Sequence, residues 1–132
     1  MQQLLVEGIR GGQVLSAHDI SHGGVLVTVA EMMLRSAPST IGCVLSFDDG
    51  VPIGMDSALL LFGEYAGIVI EVAAGEWDAF SARLEQRGVD AAQIGQTTAA
   101  DKLEIRLADG TVELTFDELT TACAGKCHQL FD

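Results

Sequence analysis

The sequence predicts an α+β domain, with a mixed β-sheet packed against helices. Three observations carry this. Runs with the apolar alternation of strands are interleaved with segments whose apolar residues recur at helical spacing. In the first two thirds of the chain these segments follow one another as crossovers do. Near the end, Asp109-Gly110 between two alternating runs predicts a hairpin, which requires antiparallel pairing. With 48% apolar residues among 132, one domain over 1–132 has material for a core.

Residues 2–10 read as a short helix with Leu4, Leu5 and Ile9 on one side, ended by Gly11-Gly12. It resembles the last turns of a longer helix, so a module of a larger protein is expected. Residues 14–20 read as a strand, expected to be central because a long helix returns from it. Ser21, His22, Gly23 and Gly24 form the turn. The helix that follows, over about 24–36, carries Leu26, Val29, Ala30 and Met33 on one face, widened by Val25 and Met32. Pro38 ends it, since proline disfavours helical geometry in the residue before it.

Residues 41–47 alternate as a strand through Ile41, Cys43, Leu45 and Phe47. Residues 57–62 form an apolar run after Ser57, and period alone leaves helix and buried strand equally open. Residues 68–72 are apolar except for Glu71, which predicts a central strand. Trp77, Phe80 and Leu84 mark a helix, with Gly88 as the left-handed residue past its end and Val89 placed to pack on Leu84. A weaker strand covers 91–97. In the hairpin, a turn at Asp109-Gly110 sets Leu107 opposite Val112 and Ile105 opposite Leu114, on the same face as Leu103. Thr115 and Glu118 form a capping box for the last helix, with Leu114 and Leu119 as its hydrophobic staple. Phe116, Leu119, Cys123, Cys127 and Leu130 continue its buried stripe.

Lys and Arg total 7 against 19 Asp and Glu, a formal net charge of -12. This argues against nucleic acid and anionic membrane as partners, because no basic patch can be large. A small phosphorylated ligand stays open, since backbone amides bind phosphate without basic side chains. Three cysteines without framework spacing suggest a reducing compartment. No apolar run reaches transmembrane length and no signal peptide is visible, so a cytoplasmic protein is expected.

The stretch from Leu15 to Met33 alone combines ionisable side chains, a glycine pair and a helix start. Unpaired amides and the positive end of the helix dipole suit a phosphate or carboxylate, and glycines let it approach the backbone. His18 can donate to a ligand or move a proton, with Asp19 orienting it or holding a cation. Equally, Gly23-Gly24 can be a tight turn and His18 a hydrogen-bonded core residue. His22 caps the helix, faces the ligand or lies on the surface. The glycines match neither the dinucleotide fingerprint nor the P-loop. Cys123, Cys127 and His128 fail as a metal site. His128 is rotated about 100° from Cys127 on the helix, a fourth ligand is missing, and both cysteines fit the apolar stripe. Asp48, Asp49 and Asp56 are better read as solvated turn residues than as cation ligands. Glu64, an isolated carboxylate after Gly63, is a weak signal. Tyr65, Trp77 and Phe80 form no base-stacking platform.

Ser16 to Gly24, SAHDISHGG, resembles the SAHD(I/V)SDGG motif of the aminoimidazole ribonucleotide synthetase-like superfamily. Within it the chain is most similar to the C-terminal domains of the phosphoribosylformylglycinamidine synthase large-subunit family. Ala30-Glu31-Met32 fits the helix after that motif, and Leu60 to Glu64, LLFGE, resembles the family's LFGE motif. Gly88-Val89, Ile94-Gly95 and the terminal helix fit the later pattern, so the resemblance covers essentially the whole chain.

The resemblance implies the superfamily's C-terminal domain fold and a part in purine biosynthesis. Members convert formylglycinamide ribonucleotide, ATP and glutamine to formylglycinamidine ribonucleotide, ADP, phosphate and glutamate. ATP phosphorylates the amide oxygen, and ammonia from a glutaminase subunit or domain displaces the phosphate. A small accessory subunit accompanies a separate glutaminase. N-terminal domains carry most ATP and magnesium contacts, and the C-terminal domain helps shape the substrate cleft. This implies ligand binding or cleft support for Asp19, Ser21, Gly23 and Gly24, polar contacts for His18, and loop support for His22 and Glu64; no catalytic or metal-ligating residue is implied here.

Two departures stand out. His22 replaces the motif's usual Asp, which exchanges a negative group for a neutral or positive one. Tyr65-Ala66-Gly67-Ile68 replaces the usual Ser-x-Gly-Arg. Other superfamily substrates (aminoimidazole ribonucleotide, selenide, thiamine phosphate, a hydrogenase-maturation carbamoyl group) are the first alternative, disfavoured by LLFGE. A non-catalytic interaction module is the second, and an unrelated α+β domain the third.

Overall fold

The computed structural model describes residues 1–36, 41–47, 56–108 and 110–131, with residue 57 and residues 124–131 described by their backbone alone. Among the described residues, five helices and six strands follow in the order α1 Gln2–Arg10, β1 Val14–Asp19, α2 Gly24–Leu34, β2 Gly42–Ser46, α3 Ser57–Phe62, β3 Ile68–Val72, α4 Trp77–Gln86, β4 Gly95–Thr98, β5 Lys102–Leu107, β6 Gly110–Thr115 and α5 Phe116–Phe131. The ambiguous run at 57–62 is a helix, N-capped by Asp56, whose carboxylate accepts the Leu59 amide at 2.7 Å.

The strands form a mixed four-stranded sheet, β4-β2-β5-β6, and a separate antiparallel pair, β1-β3. In the larger sheet β2 runs parallel to β5, and the other pairings are antiparallel. The α+β class therefore holds, but the single sheet with β1 and β3 at its centre does not. The continuous apolar run of β3 has another cause. Its side chains pack toward two different cores while staying only half-buried, and it needs no strand on each side. Val69 packs on the cluster of α2, β2, β5 and α5, where Leu45 and Leu103 are fully buried. Ile70 and Val72 pack on Leu4, Val14, Phe80 and Leu84 from α1, β1 and α4. The central strands of the larger sheet are β2 and β5.

The end of α4 is a Schellman motif, as Gly88 predicts. Val89 N–H donates to Leu84 O at 3.0 Å, Gly88 N–H to Glu85 O at 2.9 Å, and Gly88 has φ +68°. The capping box of α5 is present too. The Glu118 amide donates to Thr115 Oγ1 at 3.2 Å and the Thr115 amide to Glu118 Oε2 at 2.8 Å. Along the α5 stripe, Leu119 is buried and Cys123 half-buried.

The hairpin differs from expectation in register. Ile105 opposes Val112, Leu103 opposes Leu114, and Leu107 opposes Gly110. The pairing has slipped by two residues, which leaves every side chain on the face the apolar pattern assigned it. Val112 is 46% exposed on the outermost strand, so it anchors nothing. Pro38, the conformation of Asp109, and Asp48 and Asp49 lie outside the described residues.

Candidate functional site

β1 delivers His18 and Asp19 to the end of the antiparallel pair, opposite Val69 and Ile68. The Ile20 amide donates to Gly67 O at 2.9 Å, and the chain then reverses. The Gly24 amide donates to Ser21 O at 3.1 Å, which closes a four-residue turn. Gly23, its third residue, has φ +88° and ψ +1°, values of a type II turn that favour glycine. Gly24 opens α2 with φ +72°, and a Cβ there would lie 2.6 Å from Leu61 O and 2.7 Å from Phe62 C. The glycine pair thus serves the turn at the first position and the close crossing of α2 over α3 at the second.

The two motifs meet at this turn. Glu64 Oε1 accepts the Gly23 amide at 3.0 Å and lies 3.4 Å from His22 Nδ1. The carboxylate sits at the positive end of α2, where an anion is favoured. The Gly23 hydrogen bond holds the Glu64 carboxyl below its ordinary value; partial desolvation opposes this and His22 adds to it. The chain's own carboxylate occupies the place where the sequence suggests a ligand anion.

The other candidate residues divide between surface and interior. Asp19 is 81% exposed, the His22 side chain is fully solvated, and Ser21 is exposed. His18 turns inward and keeps 13% exposure, with Nδ1 2.7 Å from the Asp19 carbonyl oxygen and Nε2 3.1 Å from Glu31 Oε2. Ile20, Ser21, His22, Glu64, Tyr65 and Ala66 line a shallow cleft of about 260 Å³ beside the turn. A larger groove of about 910 Å³ runs along β3 and residues 89–97, and none of His18, Asp19, His22 or Glu64 lines it.

Two partners at the site escape sequence reasoning. Glu31 stands out there only as part of a motif, and Tyr65 only as a departure. Tyr65 donates its hydroxyl to Leu60 O at 3.1 Å and packs its ring against Gly63, which fixes the segment that presents Glu64. Burial raises the pKa of that phenol. Among the described residues, no three His, Cys, Asp or Glu are grouped to hold a metal ion. The side chains of Cys127 and His128 lie outside the described residues.

Residues 1–108 match the model of the family described as AIR synthase related protein, C-terminal domain. The chain belongs to that family. Among curated members of this kind, it is 34% identical over 130 residues to the phosphoribosylformylglycinamidine synthase subunit PurL of Parafrankia sp., covering 98% of this chain and 16% of that protein. It is 34% identical over 128 residues to the PurL subunit of Deinococcus radiodurans, covering 92% of this chain and 16% of that protein. The chain thus spans about a sixth of the length of these relatives. Its AIR synthase-related fold also matches solved structures of T. maritima PurL. One, complexed with ATP, gives a TM-score of 0.74 at 16% identity; another, complexed with FGAR, gives 0.72 at 16%. Each match covers 89% of this chain and 20% of the other.

Proposed function

We propose that this chain is the C-terminal-type domain of an ATP-dependent, amidine-forming synthetase of purine biosynthesis. The substrate is formylglycinamide ribonucleotide, and glutamine-derived ammonia supplies the new nitrogen. The observation that carries this reading is the Glu64–Gly23 hydrogen bond, which joins the two family-like segments into one wall. The names of the relatives and the fold match support it. Exposed Asp19 and Ser21 and half-buried Gly23 face the substrate, with buried Gly24 behind them. His18, His22 and Glu64 support that edge from behind and beside it.

The described residues do not fit a nucleotide–magnesium centre. No cluster of metal-ligating side chains is present among them, and the amides of Gly23 and Gly24 are engaged by Glu64 and Ser21. In this reading ATP and Mg²⁺ are held by N-terminal synthetase domains, and a glutaminase with a small accessory subunit delivers ammonia. A further structural neighbour is PurLQS from Thermotoga maritima, in which PurL stands within a larger assembly. The complete enzyme works in the cytoplasm. No described helix is long and apolar enough to cross a membrane.

Phosphoryl transfer needs nucleotide and metal held in place, so the chain alone is inactive. The test is a titration of formylglycinamide ribonucleotide, with ribose 5-phosphate and ATP for comparison, into the chain alone and into the chain mixed with N-terminal synthetase domains. With ATP, Mg²⁺ and an ammonium salt supplied together with the substrate, turnover in the mixture alone, reduced by Asp19→Ala, is the expected result. Turnover by the isolated chain overturns the division of labour. His22, in the place of an acidic residue, favours a second reading, a non-catalytic interaction module. Absence of binding and turnover even in the mixture would establish it.

A further inference from the structure

The His18 ring lies between two oxygens, the Asp19 carbonyl at Nδ1 and the Glu31 carboxylate at Nε2. A carbonyl and an ionised carboxylate only accept, so each contact needs an N–H from the ring. A neutral imidazole has one N–H and an imidazolium has two. Only the protonated ring completes both bonds; a neutral ring leaves a lone pair facing one oxygen. With 13% of its side chain exposed, the ring has little water to substitute for a lost partner, whereas Glu31 is 39% exposed.

The placement gives the contact a role. His18 sits one residue from the end of β1, and Glu31 lies two turns into α2. Between them runs the Ser21–Gly24 turn. Its amide at Gly23 meets Glu64 from the other side. We propose that Glu31 is a positioning residue, acting through the protonated His18 ring to latch α2 onto the end of β1 and hold the Ser21–Gly24 turn against Glu64. The turn geometry therefore follows the protonation of that ring. Among the described residues, few other charges face His18. Its own strand offers Asp19 Oδ1 at 3.5 Å, and α2 offers Glu31. Opposite it, β3 presents Val69, and the carboxylate of Glu71 is engaged by Ser16 at 3.0 Å. His22 and Glu64 pair with each other at the turn.

The link to ligand binding rests on the reading of the turn as a cleft wall. The test reads the turn itself, so failure of the latch and failure of the synthetase reading are distinguishable. Nitrogen-15 NMR of the whole chain is followed from pH 5 to pH 8. In the wild type, the Gly23 and Gly24 amide signals move together with the His18 ring nitrogen signals. Glu31→Ala, a helix-favouring change at a partly exposed position, abolishes that shared titration and leaves the Phe80 signals in place. Glu31→Gln, whose amide oxygen still accepts from Nε2, retains the acid-side turn signals. Glu71→Gln removes a neighbouring charge and changes nothing at the turn. In His22→Asn, which removes the other ring of the turn, the shared titration survives. The proposal is overturned by Gly23 and Gly24 signals that do not titrate in the wild type, titrate unchanged in Glu31→Ala, or lose their titration in His22→Asn.

Discussion

Glu64 and Gly23 stand 41 residues apart in the sequence and 3.0 Å apart in space, the carboxylate accepting the glycine amide. The carboxylate satisfies an amide that the start of α2 would otherwise leave without a partner. It also ties the α3–β3 connection to the β1–α2 turn, so the two motif segments fold as one unit.

That contact predicts an acid-sensitive contribution to stability. The Gly23 hydrogen bond, first, and His22, after an opposing desolvation, hold the Glu64 carboxyl below its ordinary 4.5. A carboxyl held lower in the folded than in the unfolded chain stabilises fully above its unfolded value. The contribution disappears as pH falls through the lower, folded value. Glu64→Gln keeps an oxygen for Gly23 and removes the charge. Its Tm should lie below that of the wild type at neutral pH, and the gap should close on acidification below about pH 4.5. A gap constant from pH 7 to pH 3 would show that the Glu64 charge is not linked to folding.

The capping box of α5 gives a second test. Thr115 Oγ1 accepts the Glu118 amide, and the Thr115 amide and hydroxyl together hold the Glu118 carboxyl low. Thr115→Ala should cost about 1 kcal/mol in urea unfolding. Faster amide exchange should appear in the first turn of α5 and not in α4, whose ending depends on Gly88 and Val89.

The legible features are those whose partners are close in sequence. Thr115 and Glu118 are three residues apart, and the Gly88 motif spans Leu84 to Val89, so local spacing carries the geometry. The hairpin lies at the boundary. A slip of two residues keeps Ile105 and Leu103 facing the core, so the apolar pattern is equally satisfied by both registers and only the turn can choose. The split of the sheet and the meeting of Glu64 with Gly23 are not local. The IVIEV run reports that both faces of β3 meet apolar neighbours, not which neighbours these are. Glu31 could not be singled out either, because its partner depends on how α2 crosses β1.

Cys43 should be inert in the native chain. Burial pushes its thiol up to about 11, and the charge of Glu71 adds to the effect. At pH 8 this reduces the reactive thiolate roughly a hundredfold relative to an ordinary thiol, before any steric shielding. Iodoacetamide labelling followed by mass spectrometry should find Cys43 unmodified until urea unfolds the chain, while half-buried Cys123 reacts earlier. Equal labelling of both under native conditions would contradict the packing of β2.

Gly24 and Gly12 separate two reasons for a glycine. Both have positive φ, +72° and +74°, but a Cβ at Gly12 meets nothing within 4 Å. Gly12→Ala should therefore cost only the left-handed backbone strain, about 1 kcal/mol. At Gly24 the same strain is joined by the carbonyl oxygen of Leu61 and the backbone of Phe62, neither of which can rotate away. For Gly24→Ala to fit, α3 must move, and with it buried Leu60 and Leu61 of the main core. The expected loss is on the order of 3 kcal/mol in urea unfolding. A valine there would test this crossing before it tested any ligand. Equal losses at the two positions would mean that α3 yields freely and that Gly24 is required for its backbone conformation alone.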